Sequence, residues 1–160
     1  MNGLTNKYLE SLSNLFFKNI GKKKFLGVFP SDVLPETRRK EFAVIFNLSK
    51  HNELGSHFIA IVKKVNEIIY FDSFGEKCYV PTIKSFIQKF GLPITFNTKK
   101  IQDDRSNFCG YFCFHFLYHC FYLNKSLLSY VKIFPTRELK QNDNLLLSCI
   151  LRIINKHNNK

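Results

Sequence analysis

The stretch from residue 57 to residue 75 constrains the fold of this chain more than any other. It reads His-Phe-Ile-Ala-Ile-Val, then a charged turn over residues 63–67, then Ile-Ile-Tyr-Phe-Asp, and it ends in Ser-Phe-Gly. Two short runs of β-branched and aromatic residues around a polar turn predict a β-hairpin. An antiparallel strand pair therefore lies near the middle of the chain, and the other elements must pack around it.

The segment before the hairpin predicts one helix and two strands. Thr5 can cap a helix that ends just before Gly21. Residues 25–29 and 42–48 are rich in Phe, Val and Ile and are typical of short strands. The apolar residues of the predicted helix recur at helical spacing: Leu9, Leu12, Leu15, Phe16 and Ile20.

The segment after the hairpin alternates between helices and a strand. Pro81 can open an amphipathic helix that Gly91 ends, and residues 93–101 alternate as a strand does. The aromatic run 108–123 predicts a buried helix. A last helix follows, with these apolar residues on one face: Leu145, Leu146, Cys149, Ile150 and Ile153.

The composition indicates one globular domain. Of the 160 residues, 45% are hydrophobic, which is enough to form a core in a chain of this length. The 18 phenylalanines and seven tyrosines, with no tryptophan, indicate a core rich in aromatic rings. No repeat or linker divides the sequence, so we expect residues 1–160 to form a single domain.

Basic residues outnumber acidic ones two to one. The chain has 24 Lys and Arg residues against 12 Asp and Glu residues, a formal charge of +12. Such a charge attracts DNA and other polyanions. A lysine-rich solvated surface explains it equally well, because the basic clusters are scattered and no nucleic-acid-binding motif accompanies them. The charge identifies no partner, and both interpretations stay open.

The cysteines and the apolar runs favour an unsecreted protein. Five cysteines is an odd number, and they lack the spacing of a disulfide framework, which indicates a reducing compartment. No N-terminal stretch has the order of a signal peptide. The longest apolar run is shorter than the roughly 20 residues that span a bilayer. We therefore expect a soluble intracellular protein with no membrane association.

The predicted hairpin brings His57 and Asp72 together. Depending on the turn, the two residues lie directly opposite each other or, with a turn over Val65 and Asn66, one diagonal step apart. Both registers put the side chains on one face within about 4.5–8 Å, whereas a shift by one residue separates them. A carboxylate beside a histidine fixes its tautomer and keeps it basic. The alternative is a surface histidine near a turn-capping aspartate.

Cys109 is the candidate nucleophile. It lies where the polar loop 102–107 meets the predicted buried helix, and the backbone N–H groups at a helix N-terminus stabilise a thiolate. A nearby imidazolium would make that thiolate a usable nucleophile at neutral pH. Gly110 leaves one flank of the cysteine without a side chain. Gln102 can donate an amide hydrogen bond to an oxyanion, together with the N–H of Cys109.

Metal binding is the competing interpretation of the same helix. Cys109 and Cys113, and likewise His115 and His119, are spaced i, i+4. The two pairs point in different directions on a helix and are surrounded by apolar residues, so we expect no metal. Packing roles are expected for Cys113, His115, His119 and Cys120, and Cys78 and Cys149 are expected to be inert.

Four segments of the sequence resemble the adenovirus endopeptidase (adenain) family of cysteine proteases. They are Gly-Ser-His57-Phe, Tyr-Phe-Asp72-Ser-Phe-Gly, Gln102 and Cys109-Gly-Tyr-Phe-Cys, in the family's order of His, acid, Gln and Cys. The clan of ubiquitin-like-protein-specific proteases shares this order, but Cys-Gly-x-Phe-Cys after the glutamine is closer to adenain. Residues 25–35 also resemble proteases of the virus-like Polinton or Maverick elements.

The resemblance implies a fold and a set of roles. The fold is a single-domain α+β cysteine protease fold, with a mostly antiparallel sheet packed against helices and the nucleophile at the N-terminus of a buried helix. Cys109 attacks the scissile carbonyl, and His57 is the general base and later the acid. Asp72 orients His57, and Gln102 helps to form the oxyanion hole. No cofactor is required, with DNA or a peptide as candidate activators by family analogy.

Three positions depart from the family pattern. Phe58 stands where these proteases commonly have tryptophan, which keeps an aromatic ring beside the histidine. Asp72 replaces the glutamate of the adenovirus enzymes and has a shorter reach. Residues 91–101 contain no cysteine, which argues against an activating peptide joined by a disulfide before the glutamine.

The resemblance also implies a function. It is that of a monomeric thiol endopeptidase that cleaves viral or virus-like precursor proteins, such as capsid or core proteins, after Gly-containing sites. Its partners would be virion precursor proteins and DNA, and its location the host nucleus or cytoplasm and the virion. Two alternatives stay open: a deubiquitinase or SUMO-type isopeptidase, and a basic nucleic-acid-binding protein with a relic active site.

Overall fold

A mixed sheet of six strands forms the centre of the fold within residues 4–159, the part of the chain that this computed structural model describes. The strands lie across the sheet in chain order: β1 (Asn19–Ile20), β2 (Lys23–Pro30), β3 (Phe42–Asn47), β4 (Phe58–Lys63), β5 (Ile68–Phe71) and β6 (Ile94–Phe96). The pairs β2/β3 and β5/β6 are parallel, and the other three are antiparallel. The sheet is therefore mostly antiparallel, as expected.

Helices cover both faces of the sheet. They are α1 (Asn6–Phe17), α2 (Pro81–Gln88), α3 (Cys109–Phe116), α4 (Leu127–Val131) and α5 (Leu139–Asn158), and α3 continues as a π-helix over Leu117–Tyr122. One core joins α1, α3, α4 and α5 to one face of the sheet, and a smaller core joins α2 to the other. In the described part of the chain, no helix has the length and apolarity needed to cross a membrane.

The central strands alternate their side chains between these two cores. Every residue of β3, β4 and β5 is buried, because side chains that point to either face meet a layer of helices. Ala60 packs in the larger core and its neighbour Ile61 in the smaller one. The result is the α+β domain that the resemblance implied.

The predicted hairpin is confirmed and its register is resolved. Ala60 pairs with Phe71 across β4 and β5, and the connection turns over residues 64–67. This is the register of the turn over Val65 and Asn66, in which residues 57 and 72 are diagonal neighbours.

The first helix is shorter than predicted. Its Thr5 cap is confirmed, with the threonine hydroxyl accepting from the Tyr8 N–H at 3.2 Å. The helix ends at Phe17, however, because the next residues pair with the start of β2 in a tight hairpin. Gly21 does not follow a helix end but forms the hairpin turn with a φ of 59°, a conformation that glycine adopts without strain.

The strand predicted over residues 93–101 is also shorter, because β6 ends at Phe96. The next residue, Asn97, hydrogen-bonds the backbone of Asp72 through its side-chain amide in place of further strand pairing. Residues 98–101 then leave the sheet and lead to Gln102.

Candidate active site

The candidate site lies where the ends of several strands and the N-terminus of a helix meet at one end of the sheet. His57 precedes β4 and Asp72 follows β5. Because these strands are antiparallel, both residues lie at the same end of the sheet. Strand β6 runs parallel to β5, so Asn97 also lies there. Cys109 is the first residue of α3, and that helix packs against β4.

His57 and Asp72 form a buried pair. Nε2 of His57 lies 2.8 Å from Oδ1 of Asp72, and the side chains are 13% and 2% exposed. The backbone N–H of Phe74 donates to the same carboxylate oxygen at 2.8 Å. Nε2 therefore donates to Asp72, and Nδ1 is the nitrogen left for Cys109, with which His57 also hydrogen-bonds.

The surroundings of His57 stabilise its protonated form. Burial has the largest single influence and lowers the pKa, but hydrogen bonds to Asp72 and Cys109 and the negative charges of both outweigh it. Together they raise the pKa of His57 to about 9. At neutral pH the ring is therefore an imidazolium held beside a cysteine sulfur.

Phe74 restrains the imidazole from the side. Its ring stacks on His57 with centroids 4.6 Å apart and planes inclined by 21°. Nζ of Lys100 lies 5.5 Å from the centroid of the Phe74 ring. Phe74 lies two residues after Asp72 in the sequence motif, but nothing in the sequence indicated its role. A separation of two residues in a turn does not predict that a ring will stack on His57.

Cys109 lies at the N-terminus of a buried helix, as expected. It is 8% exposed, and the neighbouring Gly110 allows the ring of Phe58 to lie against the start of the helix. A Cβ atom at position 110 would lie 3.3 Å from that ring. Phe58 thus packs beside the helix start that carries Cys109.

The Gln102 side chain is held at both ends of its amide. Oε1 accepts from the Ser73 hydroxyl at 2.5 Å, and Nε2 donates to the Ser106 carbonyl at 2.8 Å. Nε2 carries a second N–H, and Gln102 lines the same cleft as Cys109 and His57. The structure therefore brings all four predicted site residues together.

Asn97 is a site residue that sequence reasoning missed. Its side chain accepts from the Asp72 N–H at 3.1 Å and donates to the Asp72 carbonyl at 2.6 Å. It also donates to the Lys99 carbonyl at 3.2 Å. These contacts fix the backbone that carries the acid. No local pattern signals them, because the two residues are 25 positions apart.

A cleft of about 710 Å³ opens over these residues, a volume within the usual range for ligand sites. His57, Gln102 and Cys109 line it, together with residues from the end of β3, the loop that follows it and the start of α1. Lining residues from these segments include Leu4, Thr5, Asn47, Ser49, Lys50 and Ser56.

Of the four residues weighed as metal ligands, Cys109 lines this cleft, whereas Cys113, His115 and His119 do not. His115 and His119 pack beside the Tyr130 ring, and burial lowers the pKa of both. Among residues 4–159, no group of three or more His, Cys, Asp or Glu side chains could hold a metal ion. All five cysteines are free thiols.

Comparison with known proteins identifies the fold. No family model and no curated protein sequence match the chain. Among solved structures, the ASFV pS273R protease matches with 16% identity and a TM-score of 0.49, over 68% of this chain and 44% of that one. ChlaDub1 from Chlamydia trachomatis matches with 16% identity and a TM-score of 0.52, over 71% and 61%.

A third structure matches over the whole length of both chains. It is the central domain of the uncharacterized Lpg1148 protein from Legionella pneumophila, with 13% identity and a TM-score of 0.56. The aligned part spans less than two thirds of the ASFV protease and of ChlaDub1. At these identities the comparisons establish the fold, which is that of cysteine proteases.

Proposed function

We propose that this chain is a cysteine peptidase in which Cys109 attacks the carbonyl carbon of a peptide or isopeptide bond. The observation that carries the proposal is the position of His57, which hydrogen-bonds both a buried carboxylate and the Cys109 sulfur in an open cleft. This arrangement of nucleophile, base and orienting acid is what acyl transfer requires. The cysteine protease fold supports it.

The reaction proceeds in two halves. The Cys109 thiolate bonds to the carbonyl carbon, and the oxyanion accepts hydrogen bonds from Nε2 of Gln102 and the backbone N–H of Cys109. The C–N bond then breaks as the His57 imidazolium gives its proton to the leaving amine, which leaves a thioester. Neutral His57 next takes a proton from water, and the hydroxide attacks the thioester. The adduct collapses to the Cys109 thiolate and a carboxylic acid, which gives its proton to solvent as it leaves.

The substrates we propose are viral or virus-like precursor proteins, cut as an endopeptidase cuts them after Gly-containing sites. This finer assignment rests on the resemblance of four sequence motifs to the adenain family, Cys109-Gly-Tyr-Phe-Cys above all. The open cleft supports it, because an endopeptidase must accept a chain that continues on both sides of the scissile bond.

A second candidate is a protease for ubiquitin or a ubiquitin-like protein. The fold similarity to ChlaDub1, a deubiquitinase, favours it. Both candidates use the same four residues and differ only in the protein that fills the cleft.

A substrate comparison separates the candidates. The protein is incubated with a quenched fluorescent peptide containing an internal Gly-Gly-x site, with ubiquitin and SUMO carrying a C-terminal fluorogenic amine, and with Cys109→Ala and Cys113→Ala variants as controls. Cleavage of the peptide that is lost only in Cys109→Ala supports the endopeptidase. Cleavage of the ubiquitin or SUMO conjugate alone favours the second candidate. Tight DNA binding without cleavage of any substrate would support the nucleic-acid-binding alternative and contradict the proposal.

We further propose DNA as an activator of the peptidase, supported by the formal charge of +12. Turnover measured with and without duplex DNA, and with heparin as a polyanion control, tests this. Stimulation by DNA but not heparin supports a DNA-specific role. An equal effect of both assigns the stimulation to charge alone.

A further inference from the structure

The hydroxyl of Ser73 lies against the side-chain amide that serves the oxyanion in the proposed mechanism. Ser73 follows Asp72 in the chain and is fully buried. Its Oγ donates to Oε1 of Gln102 at 2.5 Å, on the opposite end of the amide from the contact between Nε2 and the Ser106 carbonyl. Sequence reasoning gave Ser73 no role, since the contact spans 29 positions.

We infer that Ser73 is a positioning residue that fixes which end of the Gln102 amide faces the oxyanion; the inference rests on the proposed peptidase function. The Ser106 carbonyl can only accept, so it selects the NH₂ end of the amide. The other end is then an oxygen, and the Ser73 hydroxyl must donate to it. Among the contacts of the described residues, none uses the second N–H of Nε2, which is left for the substrate.

Backbone contacts hold the same two segments together. The carbonyl of Ser73 accepts from the N–H groups of Ile101 and Gln102 at 2.9 and 3.1 Å. Gly75, with a φ of 71°, lies so close that a Cβ atom there would be 2.8 Å from the carbonyl carbon of Lys99. The turn that contains Asp72 and Gly75 therefore packs closely against the segment that leads to Gln102.

Adjacent residues thus serve different parts of the reaction. Asp72 orients the base, and Ser73 orients the oxyanion donor. A Ser73→Ala variant keeps the contact between His57 and Asp72 but leaves the Gln102 amide anchored only at its nitrogen. We expect kcat to fall about 10-fold to 100-fold, less than for outright loss of an oxyanion donor, with KM changed by less than about twofold.

A double-mutant cycle tests whether Ser73 acts through Gln102. Turnover is measured for Ser73→Ala, Gln102→Ala and the double variant, with Ser13→Ala as the matched control. Ser13 is equally buried, lies on α1, and its hydroxyl has no hydrogen-bond partner among the described residues. The inference predicts that Ser73→Ala lowers kcat in the wild-type background but not in the Gln102→Ala background. Equal losses in both backgrounds, or no loss in either, would overturn it.

A second readout does not depend on activity. In ¹⁵N NMR spectra, the two side-chain N–H protons of Gln102 should be well separated and slow to exchange in the wild type and in Ser13→Ala. Ser73→Ala should bring their shifts together and speed their exchange; unchanged signals would overturn the inference. If the wild type cleaves no substrate, the peptidase proposal fails, while the NMR comparison still decides whether Ser73 orients the amide.

Discussion

Cysteine and histidine side chains occur at two places along helix α3 and its π-helical extension, and the pKa of the histidine shifts in opposite directions at the two places. At the N-terminus, Cys109 meets His57, whose pKa is raised to about 9 although the ring is largely buried. Further along, burial lowers the pKa of His115 to about 4 and raises the pKa of Cys120 to about 12. Burial thus favours the neutral forms of His115 and Cys120, and burial is also the largest single influence on the pKa of His57.

The difference lies in the partners. Asp72 accepts a hydrogen bond from Nε2 of His57, whereas Nδ1 of His115 has no hydrogen-bond partner among the described residues. Nε2 of His119 lies 2.8 Å from the hydroxyl oxygen of Ser129, which is a neutral group. A carboxylate within hydrogen-bonding distance favours the charged form of a buried imidazole. The comparison teaches that the hydrogen bonds and charges of Asp72 and Cys109, and not burial, account for the raised pKa of His57.

Replacing the two cysteines of α3 should give the sharpest contrast. Cys109→Ala removes the nucleophile and should reduce peptide cleavage to background, a loss of at least about 10⁴-fold. Cys113 lies one helical turn further and is fully buried in the core. The Cys113→Ala variant should keep its turnover and lose about 1 kcal/mol in unfolding free energy. Cleavage rates and urea denaturation measure both. Comparable losses of turnover in the two variants would show that the helix matters only for folding.

Removing the charge of the acid should have the next largest effect. Asp72→Asn keeps the size of the side chain but removes the negative charge that holds His57 protonated, and kcat should fall on the order of 10³-fold. Ser129→Ala takes the corresponding partner from His119 and should leave turnover within about twofold. Steady-state kinetics decide, and an Asp72→Asn variant with wild-type kcat would contradict the role of the acid.

The two histidines should give stability opposite dependences on pH. The pKa of His57 is higher in the folded chain than its ordinary 6.5, so its contribution is full below pH 6.5 and is lost as pH rises towards about 9. The pKa of His115 is lower in the folded chain, so stability is lost as pH falls from 6.5 towards about 4. Each amounts to about 3 kcal/mol at most.

Urea denaturation between pH 4 and pH 9 measures these slopes. His57→Ala should flatten the alkaline side of the profile, and His115→Phe the acid side. Turnover should also fall as pH rises through about 9, because His57 then lacks the proton for the leaving amine. Identical profiles for both variants and the wild type would refute the assignment.

The smallest effect is expected at the stacked ring beside His57. Phe74→Leu removes the aromatic face that lies 4.6 Å from the imidazole and should lower kcat by about 3-fold to 10-fold. Phe74→Tyr keeps the ring and should stay near wild type. The two variants are compared by steady-state kinetics, and equal values would show that stacking does not restrain His57.

The sequence predicted the parts of this site that obey a periodic rule. The two-residue repeat of a hairpin placed His57 and Asp72 on one face, and an apolar run after a polar loop placed Cys109 at a helix start. The alternation of side chains between the two faces could not decide whether His57 and Asp72 lie directly opposite each other or one diagonal step apart, because that depends on the turn. Contacts between residues far apart in the sequence were not predictable, because such partners have no fixed spacing. The contacts of Asn97 with Asp72 and of Ser73 with Gln102 are examples.

The remaining differences have local causes. The first helix was predicted too long because Ile20 continues its apolar spacing, yet that residue pairs into a hairpin with the start of β2. The π-helical continuation of α3 has no signal in a run that is apolar on all sides. The catalytic roles of His57, Asp72, Gln102 and Cys109 stay predictions that rest on the geometry described above.

The central claim is that His57 activates Cys109, and the rate of iodoacetamide labelling at each cysteine tests it most directly. Wild type, His57→Ala and Cys109→Ala proteins are labelled at pH 6.5 and the sites are quantified by mass spectrometry, with the half-buried Cys78 as internal reference. We predict that Cys109 is labelled at least about 10-fold faster than Cys78 in the wild type and loses this advantage in His57→Ala. Labelling of Cys109 at the same rate with and without His57 would contradict the account.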